Sequence, residues 1–227
     1  MTQPTLVVAL LMWSYLVPAL GQSSAQPPPH PGPKIRAIKA GRLIDPESGT
    51  ARSNQIILVE GEKILAVGSK VEIPPGVEVI ELSDLTVLPG LVDAHTHMAL
   101  TYKEVPENNY YYLTYVTDST ALRAIQAASN GIQLLSSGFT VVRDVGNNAL
   151  YADTALRQAI EQGWLPGPTI IPSGLIIGGS GGQFWPSPDM YKFHNIVYPE
   201  YLEADTPDEI VKAVRQNMLF GARTIKL

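Results

Sequence analysis

The spacing of hydrophobic and polar positions changes near Pro89, and the two parts of the chain predict different structures. From Ile35 to Leu88, short runs of β-branched residues alternate with turn residues, which is typical of a small β-domain. After Pro89, strand-like runs alternate with longer segments of helical spacing, which is typical of parallel βαβ units. We therefore expect an α/β protein with a β-domain at 35–88 and a second domain at 89–227.

Each part has its own predicted elements. In the β-domain, Glu60-Gly61-Glu62 predicts a tight hairpin, and the predicted strands are Ile35–Lys39, Gln55–Glu60, Lys63–Gly68, Val77–Leu82 and Thr86–Leu88. In the second domain the predicted strands are Leu91–His97, Thr140–Asp144, Thr169–Ser173 and Thr224–Leu227. Helices are predicted between these strands, from Asp118 or Ser119 to Ser137, from Leu150 to Gln162, and from Thr206 to just before Gly221.

Two of these helices have more detailed signals. The first has an apolar stripe that we expect to face the core, formed by Leu122, Ile125, Ala128, Ile132 and Leu135. The third begins with Thr206-Pro207-Asp208-Glu209, which predicts a capping box between Thr206 and Glu209.

The first 34 residues predict an export signal followed by a spacer. Leu6 to Leu20 is apolar except for Ser14 and Pro18, and small residues at Ala19 and Gly21 suit a signal peptidase. Residues 1–21 are therefore predicted to be a signal peptide, and the Pro-rich residues 22–34 an extended linker. This predicts a periplasmic or extracellular protein without a membrane anchor after cleavage.

Composition restricts the chemistry of any site. The chain of 227 residues has a formal net charge of −5 and no cysteine. It has no basic patch for nucleic acid, and any metal must be held by nitrogen or oxygen ligands. Small molecules and peptides remain as candidate substrates, and self-association of the complete protein stays open.

A pair of histidines is the main candidate for chemistry. His95 and His97 are two positions apart at the end of a predicted strand, so their side chains should face the same way, with Asp93 on the same face. Two such imidazoles suit a divalent metal, most plainly one or two Zn²⁺ ions.

The run Leu88-Pro-Gly-Leu-Val-Asp-Ala-His-Thr-His97 resembles the amidohydrolase superfamily of metal-dependent hydrolases. Segments 41–45 with 57–68 resemble its N-terminal β-sandwich, and 138–146 resembles its second barrel strand. The resemblance implies an incomplete (β/α)8 barrel, with the first four strands in 89–227, preceded by a partial β-sandwich. Gly221 to Leu227 resembles the fourth strand, where Lys226 matches a carboxylated lysine that bridges two metals.

The resemblance also implies a reaction, in which metal-activated water hydrolyses carbon–nitrogen bonds in substrates such as dipeptides, cyclic amides or other amides outside the protein backbone. Two further histidines and a catalytic aspartate would come from later strands, so we expect this chain alone to be inactive and assign it no catalytic residue. The alternative is a non-catalytic exported β-domain or metal-binding module.

Three further residues are candidates for substrate binding. Arg143 and Asp144 end the second predicted barrel strand, where an ion pair that locks the loop is at least as plausible as substrate contact. Gln183 follows a glycine-rich segment, Gly178 to Gly182, in the long loop after the third strand.

Overall fold

The computed structural model describes residues 34–100, 117–146, 149–182 and 201–227. Within these ranges the protein is a mixed α/β structure. The strands are β1 (Ile35–Asp45), β2 (Thr50–Glu60), β3 (Lys63–Gly68), β4 (Glu78–Val87), β5 (Leu91–Thr96), β6 (Phe139–Asp144), β7 (Thr169–Pro172), β8 (Ile176–Gly178) and β9 (Tyr201–Glu203). The helices are α1 (Thr120–Ser136), α2 (Ala152–Glu161) and α3 (Pro207–Leu219).

The chain forms two compact units. Among the described residues, one unit contains 34–42 and 53–86, and the other contains 43–52 and those from 87 to 227. The predicted signal peptide and most of the linker lie outside the described residues. In the part of the chain that the structure describes, no helix has the length and apolar character needed to cross a membrane.

The first unit is built on a four-stranded sheet in the order β3-β2-β1-β4. Strands β2 and β3 pair antiparallel and are joined by a tight turn, as predicted. Gly61 in this turn has φ of 57°, which a residue without a Cβ adopts at little cost. The last two predicted runs of the β-domain are largely one continuous strand, β4.

In the second unit, β5, β6 and β7 form a parallel sheet in that order. Helix α1 connects β5 to β6, and α2 connects β6 to β7. The core beside the sheet includes Met98, Ala127, Val142, Leu156 and Ile170. This alternation places the ends of β5 and β6 beside each other, which positions the candidate site.

The predicted core stripe of α1 is wrong at three of its five positions, whereas Ala128 packs against the core and Leu135 is partly buried. Leu122, Ile125 and Ile132 are 45%, 68% and 42% exposed, whereas the buried residues of the helix are Arg123, Ala127 and Gly131. Gly131 lies against the core, where a Cβ would make ordinary contacts with Met98 Cε at 3.4 Å and Pro168 Cδ at 3.7 Å and a longer side chain would need more space. The helix packs through its small residues, which allow the close approach that larger apolar residues would prevent.

Helix α3 begins with the predicted capping box. Thr206 accepts a hydrogen bond from the Glu209 N–H, and Glu209 accepts one from the Thr206 N–H. At the other end of α3, the buried Asn217 donates to the Leu175 carbonyl at 2.8 Å and accepts from the Leu175 N–H at 3.1 Å. This two-way contact fixes the helix to the connection between β7 and β8.

The predicted strand at Thr224–Leu227 is not present. These residues have no strand structure, although the Thr224 N–H donates to the Pro172 carbonyl of β7 at 3.2 Å and the Lys226 carbonyl accepts from the Ile177 N–H of β8 at 3.0 Å. One bond to each of two strands is less than a β-ladder requires. Two short strands were not predicted: β8 and β9 pair parallel with each other, and three residues are too few for an alternating pattern.

Candidate functional site

The two histidines at the end of β5 are neighbours on one side of the chain, as strand alternation predicts. The His95 and His97 ring centroids are 5.3 Å apart, and the ring planes meet at 64°. His95 is exposed and His97 is partly buried. Two imidazoles at this distance can approach one small ligand together, although their role as metal ligands stays a prediction.

A backbone carbonyl fixes the orientation and tautomer of His97. Its Nδ1 lies 3.0 Å from the Gly146 carbonyl oxygen. Because a carbonyl only accepts, Nδ1 must carry the proton, which leaves Nε2 of the neutral ring with a free lone pair. Metal-binding histidines in proteins are commonly held in this way through their second nitrogen.

Gly146 also provides the space for this ring. A Cβ at position 146 would lie 3.0 Å from both Cε1 and Nδ1 of His97. The residue follows β6, so its carbonyl reaches the histidine segment across neighbouring strands. The sequence pattern contained no direct signal for this contact, since the two residues are far apart in the chain.

Asp93 stabilises the backbone just before the first histidine. Its Oδ1 accepts a hydrogen bond from the His95 N–H at 3.0 Å. The carboxylate is partly exposed. Asp93 therefore acts on the conformation of the histidine segment in addition to lining the site.

Arg143 and Asp144 end β6 with their side chains on opposite faces. Asp144 is 0% exposed and accepts from the Met98 N–H at 3.1 Å, so it holds the chain that follows the histidines. Arg143 is exposed, and its Nε donates to the Ala94 carbonyl at 2.7 Å. Both residues thus bond to the histidine segment, and their contact with a substrate stays a prediction.

A cleft of about 440 Å³ opens beside the histidines. It lies between β5 and α1 and has the size of a small-molecule site. Its walls combine polar and apolar side chains: Asp93, His95, Thr96, His97, Met98, Leu100, Asn130, Gln133, Leu134, Ser137 and Phe139.

The donor set fits a metal in part. Among the described residues, no group of three or more His, Cys, Asp or Glu side chains is arranged to hold an ion. His95 and His97 supply nitrogen donors of the right kind, but a catalytic zinc usually has three protein ligands. Lys226 is partly buried, and the proximity of its side chain to the histidines stays a prediction.

The glycine-rich segment after β8 is tied to the start of α3. Ser180 donates through its backbone N–H to Asp205 at 2.7 Å, and its hydroxyl contacts the same carboxylate. The hydroxyl contact, followed by the backbone bond, lowers the pKa of Asp205 below its ordinary value. Gln183, which follows this segment, lies outside the described residues.

These features define a mixed α/β fold with paired histidines at the end of one parallel strand. A family profile described as the amidohydrolase family matches residues 86–227, which is more than half of the chain. The chain belongs to the amidohydrolase family.

Individual proteins give a consistent comparison. The dihydroorotase of Pelotomaculum thermopropionicum is 31% identical over 148 residues, covering 64% of this chain and 30% of that protein. The structure of a Xaa-Pro dipeptidase with bound methionine in the active site is similar with a TM-score of 0.67 and 28% identity, covering 85% of this chain and 46% of that chain. A prolidase complexed with N-methylphosphonate-L-proline has a TM-score of 0.66 and 27% identity, with the same two coverages of 85% and 46%. The chain thus spans less than half of these solved relatives and under a third of that dihydroorotase.

Proposed function

We propose that this chain is part of a metal-dependent hydrolase of carbon–nitrogen bonds. The observation that carries the proposal is the pair of imidazoles on β5, together with the Gly146 carbonyl that directs the free Nε2 of His97. Membership of the amidohydrolase family gives this pair its chemical context.

The strand order supports a more detailed fold assignment. Parallel neighbours β5, β6 and β7 alternate with α1 and α2, which is the repeat of a (β/α)8 barrel. We infer that 89–227 is the N-terminal part of such a barrel, and that 35–88 contributes to a β-sandwich. Active sites of these barrels lie at the carboxyl ends of the strands, where His95 and His97 are found.

A divalent ion, for which Zn²⁺ is our first candidate, would supply Lewis-acid and water-activating chemistry when bound. We propose that His95 and His97 hold it, with carboxylated Lys226 as a further ligand. The chain's own contribution is to orient these donors. Gly146 keeps the proton of His97 on Nδ1, and Asp93 fixes the peptide that precedes the His95 side chain.

Small peptides are our first substrate class. The support is the similarity of the prolidase and Xaa-Pro dipeptidase structures to 85% of this chain, at 27% and 28% identity. A cyclic amide is the second candidate, favoured by the 31% identity to a dihydroorotase. Substrate contact by Arg143, Asp144 and Gln183 stays a prediction, and the bonds of Arg143 to Ala94 and of Asp144 to Met98 favour a structural role for the first two.

The test uses the complete gene product that contains this chain. After chelation, Zn²⁺ and bicarbonate are restored, and hydrolysis of Xaa-Pro dipeptides, N-acyl amino acids and dihydroorotate is measured. We expect metal-dependent hydrolysis of at least one class, and His95→Ala or His97→Ala should lower kcat/KM by roughly 1,000-fold or more. His30→Ala, in the predicted linker, serves as the control and should leave the rate unchanged.

Two results would contradict the proposal. Full activity after chelation or in His95→Ala would show that the histidines are not the reacting centre. Metal binding without hydrolysis across the panel would favour the non-catalytic metal-binding module instead. The 227-residue chain alone should be inactive, because two imidazoles and an unstable carbamate provide too few ligands for a tight site.

We also propose that the protein is exported and cleaved after Gly21. The support is the apolar run that ends in Ala19-Leu20-Gly21. N-terminal sequencing of secreted protein should begin at Gln22, and an intact Met1 terminus in the cytosol would contradict export.

A further inference from the structure

An irregularity in the β5–β6 pairing lies beside the first histidine. Asp93 is opposite Val142, and Thr96 is opposite Asp144, so β5 has one residue more than β6 over this interval. Such a β-bulge interrupts the backbone ladder and leaves groups on the longer strand without regular partners. Ala94 and His95 are the residues within it.

Arg143 bonds to both neighbours of His95 at this bulge. Its Nε donates to the Ala94 carbonyl at 2.7 Å, and its own carbonyl accepts from Thr96 Oγ1 at 3.1 Å. The first bond gives the Ala94 carbonyl a donor where the ladder is irregular. It is also charge-assisted, and such bonds are stronger than neutral ones.

These two bonds restrain the chain on either side of His95. The first bond acts on the peptide group that precedes His95, whose N–H is held by Asp93, and so affects where the His95 Cβ points. The second holds the Thr96 side chain against the Arg143 backbone. The exposed His95 ring has few packing contacts to hold it by itself. Loss of the Arg143 guanidinium bond should therefore let the peptide before His95 move and spread the distribution of distances between the His95 and His97 rings.

We propose that Arg143 is a positioning residue for His95, which completes the hydrogen bonding of the bulge and keeps this imidazole beside His97. The consequence for metal binding rests on the proposed function, whereas the consequence for strand geometry does not. This role differs from substrate contact, which would depend on the guanidinium charge and leave β5 unaffected.

Two substitutions separate the donor from the charge. Nε2 of glutamine and Cε of methionine are the same number of bonds from Cα as Nε of arginine. Arg143→Gln therefore keeps an N–H donor at that point without the charge, and Arg143→Met replaces the donor with a methyl group. Thr96→Val removes the second bond and provides an independent variant.

The experiment compares Co²⁺ binding and amide hydrogen exchange in the complete gene product. We expect Arg143→Met to weaken Co²⁺ binding by about 10-fold to 100-fold and to change the visible spectrum of the bound ion, as loss of a supporting hydrogen bond does at metal sites. Exchange in residues 91–98 should become faster. Arg143→Gln should stay within about 3-fold of the wild type in affinity, and Thr96→Val should lie between the two.

Other outcomes would overturn the proposal. Wild-type Co²⁺ affinity and wild-type exchange in Arg143→Met would exclude positioning. An increase in KM in both Arg143 variants, with unchanged Co²⁺ affinity, would assign Arg143 to substrate contact. If the wild type itself bound no Co²⁺, the proposed function would fail, and the exchange comparison would still decide whether Arg143 positions β5.

Discussion

The Nδ1 of His97 and the carbonyl of Gly146 form a 3.0 Å hydrogen bond between residues 49 positions apart in the chain. The bond places the ring proton on Nδ1 and leaves the lone pair of Nε2 free. A backbone carbonyl just after β6 therefore determines which nitrogen of His97 can bind a ligand. The bond also makes the site sensitive to the side chain at position 146.

Gly146→Ala should therefore impair the site. The new Cβ would lie 3.0 Å from two atoms of the His97 ring, which forces the ring to move and weakens the hydrogen bond. We expect Zn²⁺ or Co²⁺ affinity of the complete protein to fall by about 10-fold to 100-fold, measured by competition with a chromophoric chelator. The control is Gly68→Ala, where the nearest atom is at an ordinary 3.4 Å. Equal affinities in both variants would contradict the role of Gly146.

Asn217→Ala should destabilise the second unit. Both backbone groups of the buried Leu175 would lose their partner, together with the Tyr151 hydroxyl that donates to Asn217 Oδ1 at 3.0 Å. We expect the free energy of unfolding to fall by about 2–4 kcal/mol, measured by urea denaturation. The exposed Arg215 on the same helix provides the control, since Arg215→Ala should change it by less than about 0.5 kcal/mol. Similar values for the two variants would show that the Leu175 contact contributes little.

The capping box of α3 should give a pH-dependent contribution to stability. Hydrogen bonds from the Asp205 N–H, and then from Thr206, lower the pKa of Glu209 below 4.5. The stabilisation is therefore complete above that value and is lost as the pH falls through the lower, folded-state pKa. Glu209→Ala should have a lower melting temperature than the wild type at pH 7. The difference in melting temperature between the two proteins should become smaller as the pH is lowered. Asp208→Ala is the control, because it removes a carboxylate from the same turn that is not part of the capping box. An equal pH dependence of the melting temperature in Asp208→Ala would contradict the role of Glu209.

The exposed stripe of α1 should make the 227-residue chain prone to association. Ile125 is 68% exposed, between Leu122 and Ile132 on one helix face. Contiguous exposed apolar surface binds hydrophobic dyes and other protein surfaces. We expect Ile125→Glu to reduce dye fluorescence and light scattering, whereas Gln126→Glu, one residue away, should have little effect. An equal reduction of dye fluorescence and light scattering in both variants would show that the added negative charge, and not the loss of apolar surface, causes the effect.

Local signals in the sequence were sufficient to predict where two of the helices begin. Ser119 accepts from the Leu122 N–H at the start of α1, and Thr206 and Glu209 form their box, because capping depends on residues three positions apart. The pairing of His95 and His97 also follows from local alternation. In each case the residues that decide the geometry are near one another in the chain.

Long-range contacts account for what the sequence did not predict. Helical spacing selected Leu122 and Ile125 as core residues, but the sheet selects the face with Ala127 and Gly131, which fits closely against it. The contacts of Arg143 and Gly146 with the histidine segment join different strands. Nothing in the spacing of either residue indicates which carbonyl or ring it will meet.

The contact between Leu175 and Asn217 also has a consequence for synthesis on the ribosome. The two residues are 42 positions apart, so the β7–β8 connection emerges well before the helix that completes its hydrogen bonds. At about 5–20 residues per second, the delay is roughly 2–8 seconds. During that interval water must hydrate both peptide groups of Leu175, and they can become buried only when α3 arrives and displaces it.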